Sequence, residues 1–234
     1  MKGIKYINIT AALLALTLYG CNNNSTTAPV PVNTSASYEI TLTNLTASQP
    51  IAPVAVILHT SGYSTGILGG VASMALEKLA EGGDNAQLLS EAAAHSAVLA
   101  LQGGAGLLMP AASEIITTTV SDRANLELSI VGMLVNTNDG FAALHGLNVS
   151  NLGLGESQVV MLAVFDAGTE ANVETAATLP GQGGVGFDAA RNDVNVISIH
   201  RGVVTAGDGL STSALNESHR FDNPAVSIKI RRIS

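Results

Sequence analysis

The chain has 234 residues, with 10 Lys+Arg against 18 Asp+Glu for a net charge of −8, and aromatics make up only 3%. That balance excludes a nucleic-acid partner, because the phosphate backbone demands clustered Lys and Arg, and the lack of Trp argues against aromatic stacking platforms. A hydrophobic content of 47% over this length suits one domain with a sizeable core.

Residues 1–20 read as a signal peptide. Lys2 and Lys5 give a basic start, and Ile7 to Leu18 supplies an apolar stretch too short to span a bilayer. The stretch stops at Leu18-Tyr19-Gly20-Cys21, and a small residue before the only cysteine matches a bacterial lipoprotein cleavage site. Tyr19 departs from the small or aliphatic residue usual there. A lone cysteine has no partner within the chain, which favours lipid attachment at Cys21 over a plain secretory signal. Asn22 rather than an acid follows, so the resemblance to Gram-negative lipoproteins implies a lipid-anchored envelope protein sorted to the outer membrane. Residues 21–36, rich in Asn, Ser, Thr and Pro, cannot bury a core and suit a flexible tether. Residues 37–234 then form the domain. Lys2 and Lys5 leave with the signal and no acid does, which takes the net charge to about −10.

Tyr38 to Leu45 alternates as a strand with one wet face, and Pro53 to His59 reads as a buried strand. From residue 72 to 95 the period becomes helical. Met74, Leu76, Leu79 and Ala80 mark a short helix ended by Gly82-Gly83. Asp84 is positioned to cap a second helix over Ala86 to Ala94, with Leu88, Leu89 and Ala92 inward. The Glu77, Lys78 and Glu81 positions read as a solvated face. Ser113 to Val120, Leu126 to Val135, Gln158 to Phe165, Val194 to His200 and Ala225 to Ile233 follow as strands. Gln158 to Phe165 reads as buried on both faces. Seven strands with one helical excursion argue an antiparallel β-sandwich.

Asp166-Ala167-Gly168-Thr169-Glu170 ends the fifth of these strands. In an extended chain its two acids would lie roughly 13 Å apart. For them to meet, the chain must turn, and Gly168 permits a turn. Thr137-Asn138-Asp139-Gly140-Phe141 brings another acid to the end of an apolar run. Three carboxylates at strand ends repel one another unless a cation or a raised pKa resolves the conflict. The reading is an oxygen-ligand cation site for calcium, which takes six to eight oxygens at about 2.3–2.6 Å. Zinc is disfavoured because neither motif holds His or Cys. Two plainer readings stay open: Asp166 capping a helix through Glu170 to Glu174, and Asp139 as an ordinary turn residue before Gly140.

The order of motifs resembles a known family. Leu42-Thr43-Asn44, Gln49-Pro50, Pro53-Val54 and His59 come first. Gly69-Gly70-Val71-Ala72-Ser73 and Leu79-Ala80-Glu81-Gly82-Gly83 follow. Then stand Met133-Leu134, the two acidic motifs above, and Ile199-His200-Arg201-Gly202. Together they resemble the spondin N-terminal domain in its bacterial secreted-lipoprotein form, over roughly residues 37–233. The resemblance implies a β-sandwich like that of calcium- and phospholipid-binding domains, with a cation site in the loops at one end. It implies Asp139, Asp166 and Glu170 as the metal ligands, with Glu170 where the family has Asp. The chain lacks the family's disulfide cysteines and its appended modules, so adhesive roles of the animal proteins transfer only weakly.

Catalytic signals are weak. His59, His95, His145, His200 and His219 are scattered, and no Gly-x-Ser-x-Gly or His-Glu-x-x-His occurs. His59 and His200 both end apolar runs and are candidates to meet. The expected function is a non-catalytic, calcium-binding adhesion or ligand-binding module, with an extracellular or envelope ligand as partner. The alternatives are a hydrolase of envelope or extracellular polymers working through paired carboxylates, and a purely structural envelope lipoprotein.

Overall fold

Alternation of apolar and polar residues builds most of this molecule. The computed structural model describes residues 34–234; the expected signal peptide, Cys21 and most of the tether lie outside the described residues. In Ala36–Asn44 (β1), every second side chain is buried, from Tyr38 through Ile40 to Leu42. β1 pairs with Ser113–Val120 (β4) on one side and Val226–Arg232 (β9) on the other, so Ile40 stands between Ile116 and Ile230. The first strand starts at Ala36, one residue before the expected domain boundary.

The remaining strands are Ala55–His59 (β2), Val98–Gly103 (β3), Glu127–Met133 (β5), Gly140–Asn148 (β6), Ser157–Asp166 (β7) and the short Ser198–Ile199 (β8). All pair antiparallel in the order β3-β2-β5-β6-β7-β9-β1-β4, with β8 also on β7. The fold is mainly antiparallel β, as expected for a sandwich. β7 joins its two sheets: residues 157–162 pair with β9, and residues 163–166 pair with β6. The two inner faces meet in one apolar core, where Tyr38, Ile40 and Leu42 share a cluster with Val56, Leu58, Leu128 and Ile130.

β2 is buried on both faces, as its unbroken apolar run suggests, because helices cover its outer side. Helix Met74–Gly82 (α1) and helix Ala86–Ala93 (α2) place Ala75, Leu76, Leu79, Leu88 and Ala92 against Ile57, Val131 and Met133. The Ser73 hydroxyl caps α1 by accepting from Leu76 N, and Gly83 closes it at φ 68°. A side chain at Gly83 would bring a Cβ to 2.7 Å from that of Ala52. Asn85 rather than Asp84 is the N-cap of α2, although the Asp84 carboxylate accepts from Ala86 N. Among the described residues no helix is long and apolar enough to cross a membrane.

Nine strands stand among the described residues where seven were expected, β3 and β6 being the additions, and further expectations change. β7 is not buried on both faces, since Val159 and Met161 are 56% and 55% exposed; among the described residues no helix covers the sheet there, and an apolar run does not reveal whether its outer face has a cover. The expected strand Val194 to His200 shrinks to β8. Glu77 and Glu81 are buried rather than solvated, because the segment 186–191 lies over α1: Arg191 pairs with Glu77, and Asp188 N donates to Glu81.

Candidate functional site

The β5–β6 turn and the exit of β7 meet because Gly140 pairs with Asp166. Asp139 therefore lies beside the Asp166–Glu170 loop, with Ala167 N donating to its carbonyl oxygen. The loop folds around the Asp139 side chain. Asp139 Oδ2 accepts from Thr169 N at 2.7 Å, Thr169 Oγ1 at 3.2 Å and Glu170 N at 3.1 Å. Gly168 makes the fold possible at φ +69°, where any Cβ would lie 2.5 Å from Val196 O. Asp139 is thus more than a turn residue, and residues 171–175 form no helix for Asp166 to cap.

The structure brings Asp139 beside both other predicted ligands but does not make Asp166 and Glu170 converge on one another. Asp166 Oδ1 accepts from Gly168 N at 2.8 Å and Oδ2 from Asn172 Nδ2 at 2.7 Å. The charge acting most on Glu170 is that of Glu81, with Asp139 and Asp188 adding to it. Among the described residues no three Asp, Glu, His or Cys side chains are gathered closely enough to hold a metal ion as they stand.

What the acids do share is incomplete hydrogen bonding. Among the described residues, the buried side-chain polar atoms without a partner are Glu77 Oε1, Glu81 Oε1, Asp139 Oδ1, Glu170 Oε2, Glu174 Oε2 and His200 Nε2. All lie around the acid loop or the segments packed on it. Buried polar atoms ordinarily find partners, so such a concentration sets this region apart from the rest of the described residues. Burial, with the charge of Asp166 beside it, pushes the Asp139 carboxyl up to about 7 against the bonds from Glu170 and Thr169. Glu170 is pushed up to about 7 by burial and the charge of Glu81, with Asn138 opposing through a hydrogen bond. Glu81 is raised by burial as well.

A second group adjoins the first through Asp166. His200 is 3% exposed, packs its ring on Phe221, and its Nδ1 accepts from Gly202 N at 3.0 Å. Burial holds its imidazole below the ordinary pKa, opposed by the charge of Asp166. Glu174 is fully buried at φ 54°, its Oε1 accepting from Val204 N at 3.2 Å. Burial, then the Asp166 charge, raises its carboxyl. His59 does not join His200; it bonds Ser129 Oγ at 2.8 Å and faces Tyr63 and His145.

Sequence reasoning missed Glu81, Glu174 and His200 as members of this region. Glu81 follows Glu77 by one helical turn on α1, a spacing that normally faces water. Glu174 and His200 sit in irregular segments with no periodic pattern to place them. No family model matches this chain, and no curated protein is significantly similar to it.

Proposed function

We propose that this chain is a non-catalytic binding or adhesion module of the spondin N-terminal type, stabilised by a calcium ion among Asp139, Asp166 and Glu170. The observation that carries the reading is Asp139: fully buried, raised in pKa first by that burial and then by the charge of Asp166, and left with an unpartnered Oδ1. Glu170 Oε2 is a second buried oxygen in want of a partner. Carboxylate oxygens are the donors calcium prefers, and both lie outside the regular strands, where carbonyl oxygens are also at hand. A bound divalent cation would supply the positive charge that lets these acids ionise together. Asp166 would join them by exchanging its bond from Asn172 for the ion.

The two carboxyls pushed up to about 7, Asp139 and Glu170, would also suit proton transfer, but neither lines the cavity adjoining Asp166. The motif ending at Cys21 supports tethering to a bacterial envelope by lipid, with the acidic domain displayed beyond residues 21–36. Mass spectrometry of the purified protein should find a diacylglyceryl-modified N-terminal Cys21, and an unmodified Cys21 would refute the anchor.

A cation binding only the folded form at ten to a hundred times its Kd adds roughly 1.4–2.7 kcal/mol. For a domain of this size that is roughly 3–10 °C in Tm. Chelation is expected to lower Tm by that amount, and Asp166→Asn to abolish the difference. Identical melting curves with calcium and with chelator would count against the site.

A further inference from the structure

The helices cover β2 and β5, and next to them the outer face of β6 and β7 carries a cavity of about 470 Å³. Its volume is in the range of small-molecule sites. Alternation along β6 makes the floor: Phe141, Ala143 and His145 share the outer face, while Ala142 and Leu144 pack on the inner core. Ala143 pairs with Ala163 of β7, whereas the neighbouring pair is Phe141 with Phe165, their rings 5.8 Å apart. Two methyls thus stand beside two rings, and the missing bulk leaves the hollow.

The facing wall is a turn built into the fold. Gly70 N donates to Ile67 O, with Gly69 at φ +83°. Gly69 N donates to Ile197 O and Ile197 N to Gly70 O, both at 2.8 Å, which ties the turn down. A Cβ at Gly66 would lie 2.8 Å from Leu76 Cδ2, so the turn also seats on α1. It holds Ile67 and Leu68 beside the cavity at 68% and 57% exposed.

That lining selects a ligand class. No Asp, Glu, Lys or Arg lines it, although the chain carries a net charge of −8. A charged ligand would leave water with no counter-charge to meet. A sugar would lose hydrogen bonds from its hydroxyls against Ile67, Leu68 and Phe165. An apolar ligand instead takes those side chains out of water. Two rings with free surface flank Ala143: half-buried Phe165 on the cross-strand diagonal and exposed His145 two residues along β6. A flat ring seated between them meets ring edges and faces. The His145 imidazole at the rim offers one polar substituent a donor or an acceptor.

We propose that this cavity binds a small, neutral aromatic ligand, its ring over Ala143 beside Phe165 and its polar group at His145. None of the proposed calcium ligands lines the cavity, so the site is independent of the cation. Saturation-transfer NMR on the purified protein in chelator tests it, with benzyl alcohol and indole as probes. Benzoate and benzylammonium keep the ring and add a charge; 1-pentanol keeps the apolar character without a ring. Each is used at about 5 mM, above a weak small-ligand Kd of about 1 mM. At least one neutral ring should bind saturably, with the charged analogues and pentanol at least about tenfold weaker. Ala143→Leu fills the hollow and should abolish binding. Leu68→Asp, at an exposed turn position that leaves the core untouched, should weaken it about tenfold or more even if the first variant folds poorly. Met161→Asp, at an exposed apolar position outside the cavity, should leave it unchanged. Absence of binding by both rings, equal binding by a charged analogue or by pentanol, full affinity in Leu68→Asp, or an equal loss in Met161→Asp would overturn the proposal. Because calcium is absent throughout, failure of the melting test would leave this site standing.

Discussion

Asp139 is the residue on which the chemistry turns, and its protonation can be followed directly. Its carboxyl stands at about 7 in the fold against 3.8 unperturbed, so the metal-free folded state holds the proton more tightly than the unfolded chain does. The stabilisation associated with that proton is fully present below about pH 4 and is lost as pH rises to about 7. The loss runs at up to about 1.4 kcal/mol per pH unit. His200 acts in the opposite sense: its lowered pKa costs stability as pH falls through the ordinary imidazole range near 6.5. Comparing wild type with Asp139→Asn cancels the histidine. In chelator, denaturant titrations should show the variant gaining on wild type between about pH 4 and 7, and a flat difference would mean Asp139 titrates as an ordinary surface acid.

At the level of elements, the acid loop depends on Gly168 more than on any carboxylate. Its positive φ and the contact with Val196 leave no room for a side chain. Gly168→Ala should cost about 1–3 kcal/mol by denaturant melting and weaken calcium binding together with it. Wild-type stability and affinity in that variant would show the loop tolerates another path. The sequence carried much of this arrangement. Alternation in β1 and β9, the unbroken run of β2, the Ser73 cap and the Gly83 stop all have local causes. So does the approach of Asp139 to the β7 exit, which follows from two strand-end motifs. What stayed hidden depends on long-range cover: Glu77 and Glu81 look like a wet helix face until the 186–191 segment packs on them. β6 was hidden because Gly140, Gly146 and His145 interrupt its pattern, and its strand character comes from pairing with β5 and β7.

Across the whole molecule, the sandwich core and the acid loops divide the work. Ile40, Leu42, Ile228 and Ile230 hold the sheets together with apolar side chains alone, and Tyr38 adds a buried hydroxyl that donates to the Val149 carbonyl. Ile40 is fully buried between Ile116 and Ile230, so Ile40→Ala should cost about 2–5 kcal/mol by chemical denaturation, with or without calcium. A loss below about 1 kcal/mol would mean the core there collapses around the gap. The buried acids at one end work against that stability, and a cation is the agent that would reverse the sign of their contribution. Calcium titration of metal-free protein by isothermal calorimetry at neutral pH tests this most directly. Saturable binding of a single ion, absent in Asp139→Asn, is the expected result; no heat of binding in a folded wild-type sample would contradict a cation among these carboxylates.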